Sequence, residues 1–202
     1  MTLDRTTAIA AVGGGTCWIA ACIYHSTLPR GCVGDECSGR PLRGDTPLGT
    51  TLFIVAFILI IAAGLGLLIH IQRRGRLGRL GVAGACSGVV GLAFLGAAAF
   101  VPDTIFGPGI DPRPLFVIPG IVLAVVGAVL VAVVVIRSGV LPSWAGFSLL
   151  IGAGMLLLAN EQTAAILFAV PFGIALLLVG AALWRGSRNA ASGFGSASPA
   201  SR

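Results

Sequence analysis

Cys32 and Cys37 are the residues best placed to do chemistry, in the stretch Cys32-Val33-Gly34-Asp35-Glu36-Cys37. Outside the cytoplasm such thiols oxidise, and Gly34 gives the backbone freedom to close a small ring. A structural disulfide is therefore expected. A redox-active pair is the alternative, although the spacing departs from the CxxC of thioredoxin-like enzymes. A metal site is disfavoured: Asp35 and Glu36 add oxygen ligands, but two thiolates beside carboxylates do not make a closed zinc set. Cys17, Cys22 and Cys86 fall in apolar stretches, where free cysteine behaves as a small hydrophobe.

His25 and His70 are the only histidines. They fall at opposite ends of predicted helices, separated by about 30 Å of hydrocarbon, so one haem cannot be held by both. Each is expected as an interfacial polar residue. The chain has no Ser-His-Asp set, HExxH motif or phosphate loop, so no cofactor is expected and an enzyme has little to work with. Arg43-Gly44-Asp45 matches an adhesion tripeptide of a length that recurs by chance.

The elements that must position these residues are six apolar stretches free of Asp, Glu, Lys and Arg. They lie near Thr7–Tyr24, Leu48–His70, Leu80–Val101, Leu115–Ile136, Trp144–Ala159 and Thr163–Trp184. Runs of about 16 to 23 residues match the roughly 20 needed to cross a bilayer core. Composition agrees: 56% of residues are hydrophobic and 10% charged, with a mean hydropathy of +1.01. That is too little polar surface to cover a water-soluble globule. The expected fold is all-α: a polytopic six-transmembrane-helix bundle over residues 1–186, with a disordered tail over 187–202. The lipid bilayer is the first expected partner. The net charge of +6 does not point to nucleic acid, because the arginines sit in short loops.

Those arginines also orient the chain, since the side richer in basic short loops faces the cytoplasm. With the N-terminus inside, Arg5, Arg73, Arg74, Arg76, Arg79, Arg137, Arg185, Arg188 and Arg202 are cytoplasmic. Arg30, Arg40, Arg43 and Arg113 are outside, nine against four. Both termini are then expected in the cytoplasm of a cell-membrane protein. The first span is the weakest, because Gly13-Gly14-Gly15 lowers its hydrophobicity. Arg5 and the run Ile19-Ala20-Ala21-Cys22 also fit a lipoprotein signal, against which Asp4 is an unusual residue. A retained helix is the favoured reading.

Glycine is abundant, 30 of 202 residues. Gly81, Gly84, Gly88 and Gly91 fall at spacings that place them in one groove of the third helix, with a GxxxG pair at Gly84 and Gly88. A tight helix contact is expected there, within the chain or with a second copy. Pro171, near Gly173, is expected to kink the sixth helix. Pro119-Gly120 is expected to begin the fourth. Arg73, Gly75, Leu77 and Leu80 align with Arg137, Gly139, Leu141 and Trp144 at an offset of 64 residues. This is either a duplicated helix pair or the convergence of two cytoplasmic turns. The cluster Arg73, Arg74, Arg76 and Arg79 is a candidate for anionic headgroups.

No ionisable residue falls at mid-depth, which disfavours ion-coupled transport. The expected function is that of a structural or accessory membrane protein acting through helix contacts, with another membrane protein or with itself. The alternatives are a small carrier of uncharged or lipidic molecules, and an extracytoplasmic thiol redox protein.

Overall fold

The computed structural model describes residues 2–31, 46–100 and 113–193. It is all-helical over them: α1 (Thr2–Thr27), α2 (Pro47–Arg73), α3 (Gly78–Phe100), α4 (Arg113–Ser138), α5 (Ser143–Leu156), a 3-10 segment (Ala164–Ala169) and α6 (Val170–Gly193). Five stretches are long and apolar enough to cross a membrane: Leu3–Thr27, Pro47–Arg73, Gly78–Leu95, Leu115–Ser138 and Ala164–Ser187. This is a helical membrane bundle. The proposed disulfide partners Cys32 and Cys37 lie outside the described residues, as does most of the second outer loop.

Local chemistry sets the helix ends. Thr46 caps α2 by accepting from the Gly49 N–H at 3.2 Å, and Pro47 occupies the first turn, where a missing N–H costs nothing. Gly75 and Gly139, at φ of 67° and 60°, close α2 and α4 in the left-handed conformation that a side chain would disfavour.

Three features depart from the sequence reading. The fifth apolar stretch makes a helix of only 14 residues. At 1.5 Å per residue it is about 21 Å long, short of the roughly 30 Å core. It ends by tightening into i→i+3 turns, with the Leu157, Leu158 and Ala159 N–H groups donating to the Gly154, Met155 and Leu156 carbonyls at 3.2, 3.1 and 3.2 Å. The connection beyond is held by Asn160 Oδ1 accepting from the Gln162 N–H at 2.9 Å and Thr163 Oγ1 from the Ala165 N–H at 3.1 Å. Secondly, the helical stretch around Pro171 is not uniform α-helix. Pro171 stands in the first turn of α6, after the 3-10 segment. Proline has no N–H for the Leu167 carbonyl, and that carbonyl accepts instead from the Val170 N–H. Pro119, by contrast, lies inside α4 rather than at its start. Thirdly, α6 continues to Gly193, into the segment expected to be tail.

Helices pack in an arc ordered α2, α1, α6, α5, α4, α3. Neighbours are antiparallel, as the paired glycines show below. The central core is formed by Leu67 and Ile71 of α2, Ala132 and Val135 of α4, Leu149 of α5, and Leu176, Val179 and Leu183 of α6. A second core near the other end joins Cys22, Ile166 and Ala169, with Trp18 and Phe53 against them. The apolar residues left exposed, among them Ile54, Ile58, Leu65, Val89 and Ile118, form a surface compatible with a lipid bilayer.

Two seams bring backbones into direct contact. In the first, a Cβ built on Gly15 of α1 would lie 2.6 Å from the Gly173 carbonyl of α6. One built on Gly180 would lie 2.9 Å from the Ala8 carbonyl. Ala8 with Gly15 and Gly173 with Gly180 are each seven residues apart, so two helical turns of each helix touch the other. The second seam repeats this between α3 and α4, with Gly84 and Gly91 against Gly127 and Gly120. A Cβ on Gly91 would lie 2.5 Å from the Ala124 nitrogen, and one on Gly127 would lie 2.6 Å from the Gly88 nitrogen. The stripe expected on α3 is thus divided. Gly84 and Gly91 face α4. A Cβ on Gly88 would meet open space, and one on Gly81 would meet first the side chain of Leu77, four residues earlier.

Gly13-Gly14-Gly15, the weak point of the first span by hydropathy, is what lets α1 sit between two neighbours. Gly13 lies against Leu59 and Gly14 against the Ile60 backbone, both of α2, while Gly15 faces α6.

Candidate functional site

The antiparallel seams place the start of α1 beside the end of α6. The turns between α2 and α3 and between α4 and α5 meet at the same end of the bundle. His70 Nδ1 donates to Asp4 Oδ1 at 2.7 Å, tying α2 to α1 there. Arg76 Nη1 donates to the Ser138 carbonyl, tying the first turn to the second. Ser138 in turn accepts from the Val140 N–H through its hydroxyl at 3.3 Å and donates to the Val135 carbonyl at 3.1 Å. The Arg76 contact is a helix cap: a cation meets a carbonyl of the last turn of α4, where the helix dipole is negative.

This end is strongly basic. Arg5, Arg73, Arg74, Arg76, Arg79, Arg137 and Arg185 all belong to it. Among the described residues only Asp4 and Glu161 carry carboxylates. Asp4 is engaged by His70, and Glu161 lies in the α5–α6 connection at the opposite end. Between the first turn of α3 and the last turn of α4 lies a groove of about 420 Å³. Arg76, Arg79 and Arg137 line it together with the apolar walls Leu77, Leu80 and Val134. Three guanidinium groups beside apolar walls can bind an oxyanion attached to a hydrocarbon body.

No known protein family, characterised protein or solved structure matches this chain. Its function must therefore be read from its own geometry. Of the arginine cluster singled out in the sequence, Arg76 and Arg79 line the groove; Arg73 and Arg74 do not. Arg137 does, and sequence reasoning missed it as a site residue. The available signal was the 64-residue alignment, which pairs Arg137 with Arg73 at two turns that prove to be neighbours. Asp4 as the partner of His70 was also missed; only the antiparallel pairing of α1 with α2 brings them together.

At the opposite end, Trp18 donates its indole N–H to the Ala169 carbonyl at 2.8 Å, and its ring meets Phe53, Phe57 and Phe172 edge-on. The His25 ring lies 4.9 Å from that of Phe53, tilted by 57°. Cys22 is fully buried beside Ile166 and Ala169. These residues form a packed aromatic anchor. Among the described residues, no three His, Cys, Asp or Glu side chains come together to hold a metal ion.

Proposed function

We propose that this chain is an accessory or structural protein of the cell membrane that acts through contacts between its outer helices and another membrane protein or a second copy of itself. In this reading the arginine-rich end and both termini face the cytoplasm, where short basic loops are retained. The observation that carries it is the position of α3. This helix is long enough to cross the membrane, yet among the described elements it packs substantially only against α4, at one edge of the arc. Its other face presents Val82, Cys86, Val89 and Val90. The open space beside Gly88 leaves room for a neighbouring backbone. Among the described residues, the buried polar side chains Thr7, His25, Ser138 and Ser187 lie towards the helix ends, away from mid-depth.

Cys86 supplies the test. In a chain lacking Cys17, Cys32 and Cys37, a photoactivatable cross-linker on Cys86 is irradiated in native membranes. A discrete adduct is expected. Irradiation that leaves only uncross-linked chain contradicts the reading.

A second reading, a carrier of uncharged or lipidic molecules, draws on one observation. Although α2 and α3 are consecutive and joined by a short turn, they are not a packed pair. Lipid or substrate flux in proteoliposomes would support it over the first.

A further inference from the structure

We propose that the groove between the first turn of α3 and the last turn of α4 is a binding site for the phosphodiester of an anionic membrane lipid. Arg76, Arg79 and Arg137 supply its donors, and Leu77, Leu80 and Val134 supply the wall for the start of the acyl chains.

Three observations converge on it. The first is charge. Three guanidinium groups line one groove, and among the described residues no free carboxylate shares that end. Like charges held together repel, and a bound anion relieves that repulsion. Arginine is suited to the task because its planar fork meets phosphate oxygens two at a time.

The second is a comparison within the chain. The α2–α3 and α4–α5 turns share Arg, Gly and Leu at matching positions, and both close on a left-handed glycine. Where the first turn has Arg74, Arg76 and Arg79, the second has Ser138, Val140 and Ser143. The opening of the turn, up to its first left-handed glycine, therefore forms without the extra arginines, and the two turns part at Gly78 (φ 58°), which aligns with Pro142 (φ −55°). A helix starts with Ser143 at the position that aligns with Arg79, so starting α3 does not require Arg79, which lines the groove with Arg76, the residue that also caps α4.

The third is placement. The groove opens where two apolar helices end, and Leu80 is 40% exposed at its rim. Headgroups are concentrated at that depth, while free phosphate would have to come from solution. Arg76 is already fixed by the Ser138 carbonyl, so part of the ordering cost is met before the ligand arrives.

Purified full-length protein in zwitterionic detergent is titrated with short-chain phosphatidylglycerol, phosphatidylcholine and inorganic phosphate, and retained ligand is read by native mass spectrometry. Wild type should retain one phosphatidylglycerol in preference to phosphatidylcholine. R79K/R137K keeps the charge but loses the fork, and should weaken retention about tenfold, the equivalent of one charge-assisted hydrogen bond. R185K changes a cation at the same end outside the groove and should retain lipid as wild type does. Unchanged helicity and elution of R79K/R137K exclude misfolding as the cause. Equal retention by R79K/R137K and wild type would overturn the proposal, because diffuse attraction to the basic end depends only on charge. Equal weakening by R185K would overturn it too. Inorganic phosphate that displaces the lipid at matching concentration would overturn the lipid as the source, leaving a site for soluble phosphate.

Discussion

The two glycine seams use one device in unlike surroundings. Both pair small residues seven apart on antiparallel helices, and in both a Cβ would strike the partner's backbone. The α1/α6 seam lies at the centre of the arc, where 56% of an 18-residue apolar window of the α6 span is buried. The α3/α4 seam lies at the edge, where 17% of the α3 span is buried. At the centre, neighbours on several sides fix the helices, and Trp18 adds a hydrogen bond to Ala169. At the edge, close backbone contact is supplemented mainly by Ser87, which donates to the Leu123 carbonyl at 2.8 Å, and by Phe94 against Phe116 at 6.2 Å. Small residues thus bring helices together in either setting, while burial decides how far the structure can yield when one is enlarged. Lipid can give way beside α3; packed protein around α6 cannot.

That difference can be broken by enlarging one glycine in each seam. Gly173→Leu should be the more damaging, costing roughly 3 kcal/mol or more, because α5 and α1 hem in α6 on both sides. Gly127→Leu should cost less, about 1 to 3 kcal/mol, since α3 can swing outward. Thermal unfolding in mild detergent ranks the two, and the reverse order would mean that the arc does not define the core. The aromatic anchor sharpens the contrast. Trp18→Phe leaves the Ala169 carbonyl without its indole donor and should cost about 1.5 kcal/mol. A loss of thermal stability at the α6 end of the bundle, read by hydrogen exchange, checks it. The smallest effect is expected at the edge, where Ser87→Ala removes one interhelical hydrogen bond worth about 0.6 kcal/mol. Chemical denaturation that shows Ser87→Ala more harmful than Trp18→Phe would invert the comparison.

Much of this architecture is legible in the sequence. Uninterrupted apolar runs set the number and approximate ends of the helices, since charge is excluded from lipid whatever the tertiary arrangement. Thr46-Pro47 and the glycines Gly75 and Gly139 mark boundaries by local rules. What escaped depends on neighbours. Gly120 and Gly127 lie on α4 at the same spacing as Gly84 and Gly91 on α3, and only the antiparallel contact shows that one set needs the other. Gly88 looked equivalent to Gly84 because a spacing of four shares a face, but it meets Gly127 with its backbone while its own Cβ position looks into open space. The 3-10 segment before Pro171 was hidden because its residues, Ala164–Ala169, read as an ordinary apolar run. At the basic end, four arginines in one turn were conspicuous, while Arg137 joined Arg76 and Arg79 only once two distant turns were known to touch.

The claim that α3 and α4 are held by backbone contact along one specific face is tested most directly within α3 itself. Gly91→Leu and Gly88→Leu make the same chemical change at two positions three residues apart, so hydrophobicity and helix propensity are matched. Equilibrium unfolding of both variants in the same detergent should show Gly91→Leu destabilised by about 2 kcal/mol or more, because its side chain meets the Ala124 backbone. Gly88→Leu should stay near wild type. Equal destabilisation by the two, or a greater loss at Gly88, would contradict the seam.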